Sequence, residues 1–224
     1  MPLADEIHVT IPPHTDLHTL ARRQFLKRAA IGTGVAAASI ALVRPVAASS
    51  AVSDLDLLNY ALTLEHLEYA FYRDGLTALP RGAFQRSRLL RGLGGEVTSR
   101  FYGYLQQIAD HERVHVETLE TVITSLGGTP VTECTYSFGY QDADGFLNVA
   151  QVLENTGVMA YDGALALIQS PELQTAAATI ATVEARHASY LNLLNGTNPF
   201  PAAFDTPKIM DEILAAAGGF IVSC

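Results

Sequence analysis

Two copies of the motif Glu-x-x-His, Glu112–His115 and Glu184–His187, constrain the fold of this chain more than any other feature. Residues three apart on an α-helix lie on the same face, so each motif presents one carboxylate and one imidazole in the same direction. Upstream of each motif, a single Glu, Glu65 or Glu154, lies among apolar residues at helical spacing. Four Glu and two His in this order match the ligand set of a two-metal carboxylate site inside a helix bundle.

The spacing of the apolar residues predicts four long helices. We place them at about 54–74, with Ser53 or Asp54 as the N-cap and Gly75 as the stop, and at about 96–126, 145–169 and 171–195. The apolar face of each helix is interrupted by ionisable residues where core side chains are expected. Thr206–Pro207 begins a shorter fifth helix, which we expect to end near residue 217 and to pack on the outside of the bundle.

The two halves of the chain resemble each other. Tyr72 follows Glu65 by seven residues and Tyr161 follows Glu154 by the same seven, so each Tyr is expected on the face of the Glu that precedes it. Each half therefore predicts a hairpin of two helices. The segment between the halves, 127–144, has 18 residues, and at about 3.3 Å per extended residue it can cross the length of a bundle. We predict an all-α four-helix bundle with a long crossover between helices two and three and a short C-terminal helix.

Four carboxylates on apolar helix faces need partners, because a buried and unpaired carboxylate is costly. The predicted helices carry few cations for this purpose: Arg73, Arg100, Arg113 and Arg186. Two divalent ions would neutralise all four carboxylates, and the two neutral imidazoles would add nitrogen donors. We therefore predict a dimetal site, and the alternative is a bundle whose polar side chains form a hydrogen-bonded network without metal.

The N-terminal stretch has the pattern of an export signal. Arg22–Arg23 precedes an uncharged run, 29–43, that is rich in Ala and Gly, and small residues follow up to Ala48. We predict a twin-arginine signal over residues 1–48, removed by cleavage after Ala48. The alternatives are a transmembrane anchor, for which the run is short and weakly apolar, and a chance basic segment. The remaining chain divides into the bundle at 49–202 and a C-terminal helix and tail at 203–224.

The charge of the predicted mature chain excludes two classes of partner. Residues 1–48 hold five of the 14 Lys and Arg and three of the 23 Asp and Glu, which leaves 9 basic and 20 acidic side chains. A net charge near −11 argues against binding to nucleic acid and to anionic membrane surfaces.

The chain has two cysteines, Cys134 and Cys224. Export would bring them into an oxidising compartment, where a disulfide between them would tie the C-terminal residue to the crossover. Two unpaired thiols are the alternative, because two cysteines have no diagnostic spacing.

Part of the first motif also fits a different class of protein. His111-Glu112-x-x-His115 matches the His-Glu-x-x-His pattern of zinc metalloproteases, in which two His bind zinc and the Glu acts as a base. Glu133 lies at a suitable distance along the chain for a third ligand. This interpretation leaves Glu65, Glu154 and the whole second motif without a role. The protease is therefore the weaker hypothesis.

The chain resembles the ferritin-like superfamily, and most closely the exported ferritin-like proteins related to desiccation-associated proteins. The resemblance covers about residues 53–196 and rests on Leu64–Glu68, His111–His115, Leu153–Glu154 with Tyr161, and Val183–His187. It implies that Glu112 and Glu184 bridge two ions of iron or manganese, in a ligand set of Glu65, Glu112, His115, Glu154, Glu184 and His187. It also implies a role near the site for Tyr72, with Tyr161 as its counterpart.

One position stays open within the implied ligand set. Glu68 is one helical turn from Glu65 and shares its face, so it is the alternative ligand of the first helix. We favour Glu65 because its spacing to Tyr72 repeats the spacing of Glu154 and Tyr161. His66 lies off that face and is expected to be a surface or packing residue, and His111 is expected to support the ligands in the bundle interpretation.

Three alternative classes of function follow for a ferritin-like bundle with a dimetal site. The first is oxidation chemistry with O2, H2O2 or ferrous iron, with manganese catalase as a special case. The second is stress protection by a non-catalytic bundle that the metals stabilise. The third, iron storage in a cage, is the weakest, because we identify no assembly surface. The apolar residues 219–222 suit docking on the bundle or on a second copy of the chain, so a homo-oligomer is an open option.

Overall fold

The structure of the protein is a computed structural model that describes residues 52–224. The predicted signal peptide, residues 1–48, lies outside the described residues. The elements, in chain order, are α1 Asp54–Ala78, α2 Gly95–Ser125, β1 Thr135–Tyr136, α3 Ala143–Leu165, α4 Pro171–Leu194, α5 Met210–Ala217 and β2 Ile221–Ser223, with 3-10 turns at Arg81–Arg86, Leu90–Gly92 and Gly218–Phe220. Among residues 52–224, no helix combines the length and the hydropathy needed to cross a membrane.

The four long helices form the predicted all-α bundle with its long crossover. Helices α1 and α2 make one antiparallel hairpin, and α3 and α4 make the other. The rings of Phe71, near the end of α1, and Phe146, at the start of α3, stack with centroids 4.5 Å apart. Helices α2 and α3 therefore run in the same direction, and the chain between them must travel the length of the bundle.

Local sequence signals begin the four long helices within two residues of the expected positions, whereas α5 begins at Met210 and not at Thr206–Pro207. Ser53 caps α1 through a capping box with Asp56, and Ser170 caps α4, whose first turn contains Pro171. The predicted stop at Gly75 is wrong, since α1 continues to Ala78. A Cβ at residue 75 would lie 2.4 Å from Cε2 of Phe146, so this glycine lets α3 approach α1 closely.

The bundle core differs at its two ends. At the end that contains the C-terminus of α1 and the N-terminus of α3, which we call the aromatic end, the core consists largely of the ring residues Phe71, Tyr72, Phe84, Phe101 and Phe146. At the opposite end, which we call the aliphatic end, most buried residues are small or branched, among them Leu58, Ala61, Leu62, Leu119 and Ile123, and the cluster also contains the ring of Tyr161.

The C-terminal segment is fastened to the crossover. Strands β1 and β2 pair in an antiparallel two-stranded sheet, and a disulfide joins Cys134 to Cys224. Ile213 and Ala217 of α5 are buried in the core. The sequence patterns did not predict the two short strands, because two or three residues give no recognisable alternation. The open question about the two cysteines is answered by the disulfide.

Candidate metal centre

The six residues of the implied ligand set converge in the middle of the bundle, between the aromatic and the aliphatic ends. The four Glu are fully buried, and the side chains of the two His are no more than 10% exposed. The convergence follows from the helical positions that the sequence indicates: α1 and α3 each supply one Glu, while α2 and α4 each supply a Glu and, one turn later, a His.

The six residues form two overlapping groups. Ligand atoms of Glu65, Glu112, His115 and Glu184 lie within 4.8 Å of one another, and so do those of Glu112, Glu154, Glu184 and His187. Glu112 and Glu184 belong to both groups, which is the arrangement expected of carboxylates that bridge two ions.

In each group, a histidine nitrogen lies among the carboxylate oxygens. Nδ1 of His115 is 3.0 Å from Glu112, 3.2 Å from Glu65 and 3.3 Å from Glu184. Nδ1 of His187 is 3.0 Å from Glu112, 3.2 Å from Glu154 and 3.9 Å from Glu184. One nitrogen carries at most one proton, so it cannot satisfy three carboxylates.

Several buried atoms of the two groups have no hydrogen-bond partner within residues 52–224. They are Nδ1 of His187, Oε1 of Glu112, Oε2 of Glu154 and both carboxylate oxygens of Glu184. Nδ1 of His187 and Oε1 of Glu112 are 3.0 Å apart, yet the contact lacks the angle of a hydrogen bond. Buried polar atoms are nearly always paired. Nδ1 of His115 does form hydrogen bonds with Glu65 and Glu112. A cluster that still leaves five converging atoms unpaired fits a cation with oxygen and nitrogen ligands.

The electrostatics of the site raise the pKa of several members. Burial raises the pKa of Glu112 to about 7, and burial with repulsion from Glu112 raises the pKa of Glu184. Burial alone would lower the pKa of His187, but Glu154 and Glu112 outweigh it and raise the pKa to about 11. The carboxylates raise the pKa of His115 against burial in the same way. Without metal, protons on the imidazoles supply positive charge to this acidic cluster.

The two tyrosines reach the site, but they do so crosswise. Tyr72 of α1 donates a hydrogen bond of 2.5 Å to Oε1 of Glu154 on α3, and Tyr161 of α3 donates one to Oε1 of Glu65 on α1. Each Tyr thus holds the carboxylate of the other half, although the seven-residue spacing placed it on the face of its own Glu. Both hydroxyls fix the orientation of a carboxylate from outside the cluster.

Glu68 lies beside the two groups without belonging to either. Its side chain is 3% exposed. A Cβ on Gly157 would lie 3.1 Å from Oε1 of Glu68 and 3.1 Å from Oε2 of Glu184, so the glycine leaves room for both carboxylates. Burial and repulsion from Glu184 raise the pKa of Glu68. Sequence reasoning missed Gly157, because a glycine within a helix does not by itself indicate what lies next to it.

The remaining candidates have other contacts. The ring of His111 stacks on His187, with its Nδ1 2.9 Å from Nε2 of that residue, so it supports a member of the site. Glu133 forms an ion pair with Arg73 and belongs to neither of the two groups of converging ligand atoms. His66 is buried, not on the surface, and its Nε2 lies 3.2 Å from the carbonyl oxygen of Val131.

Known proteins resemble this chain in sequence and in fold. A family model described as a ferritin-like domain matches residues 53–197. The chain is 26% identical over 171 residues to Protein rds1 of Schizosaccharomyces pombe, a match that covers 76% of this chain and 40% of the relative. The chain therefore spans about two fifths of the length of that curated relative. A crystal structure of a conserved hypothetical protein from Mycobacterium tuberculosis matches with a TM-score of 0.46 and 22% identity, over 66% of this chain and 94% of the other.

Proposed function

Because this chain belongs to the ferritin-like domain family, we propose that its buried carboxylates and imidazoles hold two divalent ions of iron or manganese. The ligands are Glu65, Glu112, His115, Glu154, Glu184 and His187, and the shared carboxylates are the bridges. We further propose that the protein protects against oxidative or desiccation stress through reaction with O2 or H2O2 or through oxidation of ferrous iron.

One observation carries this proposal: the donor atoms of two motifs converge, and several of them lack hydrogen-bond partners. Five such buried atoms occur in Glu112, Glu154, Glu184 and His187. A network that replaced the metals would have to pair these atoms with one another, because a buried and unpaired charge is costly. These five atoms do not pair in this way, so they fit cation ligands better than a metal-free polar network.

When bound, a pair of iron or manganese ions supplies one-electron oxidation and reduction steps at adjacent centres. The chain's own residues prepare the place for that chemistry. Tyr72 and Tyr161 fix one carboxylate each by hydrogen bonds. Gly157 leaves room for the carboxylates of Glu184 and Glu68, because a Cβ at this position would lie 3.1 Å from an oxygen of each. The buried position of all six ligands keeps bulk water from the site.

The proposal includes export of the protein by the twin-arginine route, to the periplasm or the cell exterior. Arg22–Arg23 and the uncharged run after it support this route. The disulfide between Cys134 and Cys224 also supports it, since disulfides persist in oxidising compartments. Mass spectrometry of the exported protein would test the predicted cleavage after Ala48, and an intact N-terminus would contradict it.

Metal content is the direct test of the ligand set. Elemental analysis of the protein purified from its native location should find two iron or manganese ions per chain. Glu184→Ala should reduce this content strongly, because Glu184 belongs to both groups. Glu96→Gln is the matched control, since Glu96 is an exposed carboxylate at the start of α2. Full metal content in Glu184→Ala, or none in the wild type, would overturn the assignment.

A second function, metal-dependent stabilisation without catalysis, is favoured by the burial of the ligands, which are 0–8% exposed. The two functions differ in the consumption of O2 or H2O2 by the metal-loaded protein. Consumption beyond the stoichiometric oxidation of the bound metal supports catalysis. If consumption stops at that point while metal raises the melting temperature, the metals act as structural ions.

A further inference from the structure

The aliphatic end contains an apolar cavity that leads towards the candidate metal centre. Its volume is about 50 Å³, and residues of all four long helices line it. Small side chains create the space, among them Ala61 of α1, Ala164 of α3 and Ala177 of α4. No residue that lines it is charged, and the hydroxyl groups of Thr118 and Tyr161 are the only polar side-chain groups of the lining.

The size and lining of the cavity restrict what it can hold. A water molecule needs about 10–15 Å³ and two to four polar partners, whereas an apolar cavity of about 150 Å³ can stay dry and bind benzene. At about 50 Å³ the space is too small for an aromatic ring or an acyl chain, and its walls offer almost no hydrogen bonds. Ions and peroxide lose hydration on entry, while a diatomic gas loses little.

The cavity extends from the surface to the neighbourhood of the site. Thr118 and Ala176, at its outer end, are exposed, and Leu58 and Tyr161 are buried. The hydroxyl of Tyr161 donates to Glu65, which belongs to the first ligand group. A molecule in the cavity is therefore separated from a ligand of the site by a single side chain.

We propose that this cavity is a binding site for dioxygen, which it collects from solvent and holds beside Tyr161. Binding of a small apolar molecule depends only on the cavity and is independent of metal. Delivery of that molecule to the metal centre rests on the proposed function.

Xenon is a suitable probe, because it is apolar, monatomic and detectable in both crystals and solution. A crystal of the full chain under xenon pressure should show an anomalous peak bounded by Ala61, Ala164 and Ala177. In solution, xenon should cause saturable amide shifts at the same residues in the metal-free and in the metal-loaded protein. The proposed binding site would be wrong if the wild type showed neither an anomalous xenon peak nor saturable amide shifts.

Two variants on α4 form a matched pair. Ala177→Leu places a larger side chain in the cavity, and Ala185→Leu adds the same atoms at an exposed position of the same helix. Xenon shifts should disappear in Ala177→Leu and persist in Ala185→Leu. If Ala177→Leu does not fold, Ala61→Val fills the same space from α1. If Ala177→Leu or Ala61→Val folds and its xenon shifts equal those of the wild type, the proposed binding site is wrong.

Delivery is tested separately with the metal-loaded proteins. Ala177→Leu should slow the reaction with dioxygen, while its metal content and its reaction with hydrogen peroxide stay those of Ala185→Leu. An equal dioxygen rate in the two variants would overturn delivery. Xenon binding in a protein that takes up no metal would overturn the proposed function and leave the cavity as a gas site, so the two failures are distinguishable.

Discussion

The aromatic and aliphatic ends of the bundle are built from the same four helices but pack differently. At the aromatic end, rings of α1 and α3 meet at centroid distances of 4.5–6.1 Å, and Phe84 of a 3-10 turn links them to Phe101 of α2. Phe138 of the crossover packs on Phe71 and on Phe220 of the C-terminal 3-10 turn. At the aliphatic end, α4 contributes no fully buried residue before Glu184, and the interior contains a cavity. The difference shows that interlocked rings fill one end of the bundle while the other end retains unfilled space.

The two tyrosines show the same contrast at the site itself. Tyr72 is fully buried at the aromatic end, where Phe71 and Phe146 contact its ring edge to face. Tyr161 makes the equivalent hydrogen bond at the aliphatic end, but its ring lines the cavity. An approximately symmetric ligand set therefore has an asymmetric surrounding, and we expect its two sides to respond differently to substitution.

The largest effect is expected at the site that both ends share, when pH is raised in the absence of metal. A group whose pKa is higher in the folded than in the unfolded chain stabilises the fold below its unfolded pKa and loses this effect as the pH passes the folded value. The unfolded pKa values are about 4.3 for Glu and about 6.5 for His, and the folded pKa values are about 7 for Glu112 and about 11 for His187. The melting temperature of the metal-free protein should therefore fall from about pH 4 to pH 7 as Glu112 loses its proton, and further from about pH 6.5 to pH 11 as His187 does.

Metal should reverse this trend, because binding requires deprotonated ligands and so strengthens as pH rises. Thermal unfolding followed by circular dichroism, with a chelator and with added Mn²⁺, measures both curves. In the metal-free protein at high pH, we expect amide hydrogens in the first turns of α4 to exchange faster than those at the start of α3. A melting temperature that does not change with pH in the presence of chelator would contradict the charge argument. Equal exchange rates in α3 and α4 would contradict the contrast between the two ends.

Removal of a large side chain should cost more at the aromatic end. Phe146→Ala should lower the free energy of unfolding by about 3–5 kcal/mol, because the ring is fully buried and contacts several others. Leu119→Ala, at the aliphatic end, should cost about 2–3 kcal/mol, since its surroundings are less densely packed. Chemical denaturation measures both changes, and equal losses would refute the difference in packing.

The disulfide should contribute next. It closes a loop across 90 positions of the chain, and its removal by Cys134→Ser with Cys224→Ser should cost about 2–4 kcal/mol, because the unfolded chain gains freedom. Hydrogen exchange should rise in β1, β2 and α5, with little change at the start of α4. Reduction of the wild type is the control for the serine substitutions, and uniform exchange across the bundle would contradict a local role.

Added methyl groups test the tightness of the aromatic end. Gly75→Ala should destabilise by about 1–3 kcal/mol, because its Cβ would meet the ring of Phe146 at 2.4 Å. Gly103→Ala on α2 is the matched control, since nothing lies within 4 Å of its added Cβ, and it should stabilise by about 0.4–1 kcal/mol. Urea denaturation of both variants gives the difference, and a neutral Gly75→Ala would mean that α1 and α3 can separate at little cost.

The smallest difference is expected between the two tyrosines. Tyr72→Phe and Tyr161→Phe each remove one hydrogen bond to a buried carboxylate and should cost about 1.5–3 kcal/mol in the metal-free protein. The loss should be smaller for Tyr161→Phe, because the adjacent cavity gives Glu65 space to relax. Melting curves of the two metal-free variants provide the comparison. A larger loss in Tyr161→Phe would mean that the cavity does not relieve the site.

The sequence predicted the bundle because its signals are local and repeated. Apolar spacing and the caps at Ser53 and Ser170 gave four long helices with ends correct to within four residues. The third helix ends at Leu165 instead of residue 169, and the first continues past its predicted stop at Gly75. A glycine at that position stops a helix in most contexts. Here the helix continues, because the ring of Phe146 occupies the space in which a side chain would lie.

The candidate ligands could be named from the sequence because helical spacing fixes their directions. Glu112 and His115, like Glu184 and His187, share a helix face whatever lies opposite. The choice of Glu65 over Glu68 remains a proposal, now supported by the contact of Glu65 with His115 at 3.2 Å. The cross-pairing of Tyr72 and Tyr161 could not be predicted, since it depends on how α1 and α3 lie against each other.

The sequence by itself determined the helices, the crossover and the set of ionisable residues that must share the interior. These depend on interactions between neighbours along one chain and on the cost of burying charge. Tertiary structure alone decided which Tyr holds which Glu, that Cys134 pairs with Cys224, and that one end of the bundle is filled while the other is hollow. Those outcomes depend on distances between residues far apart in sequence, which no local pattern encodes.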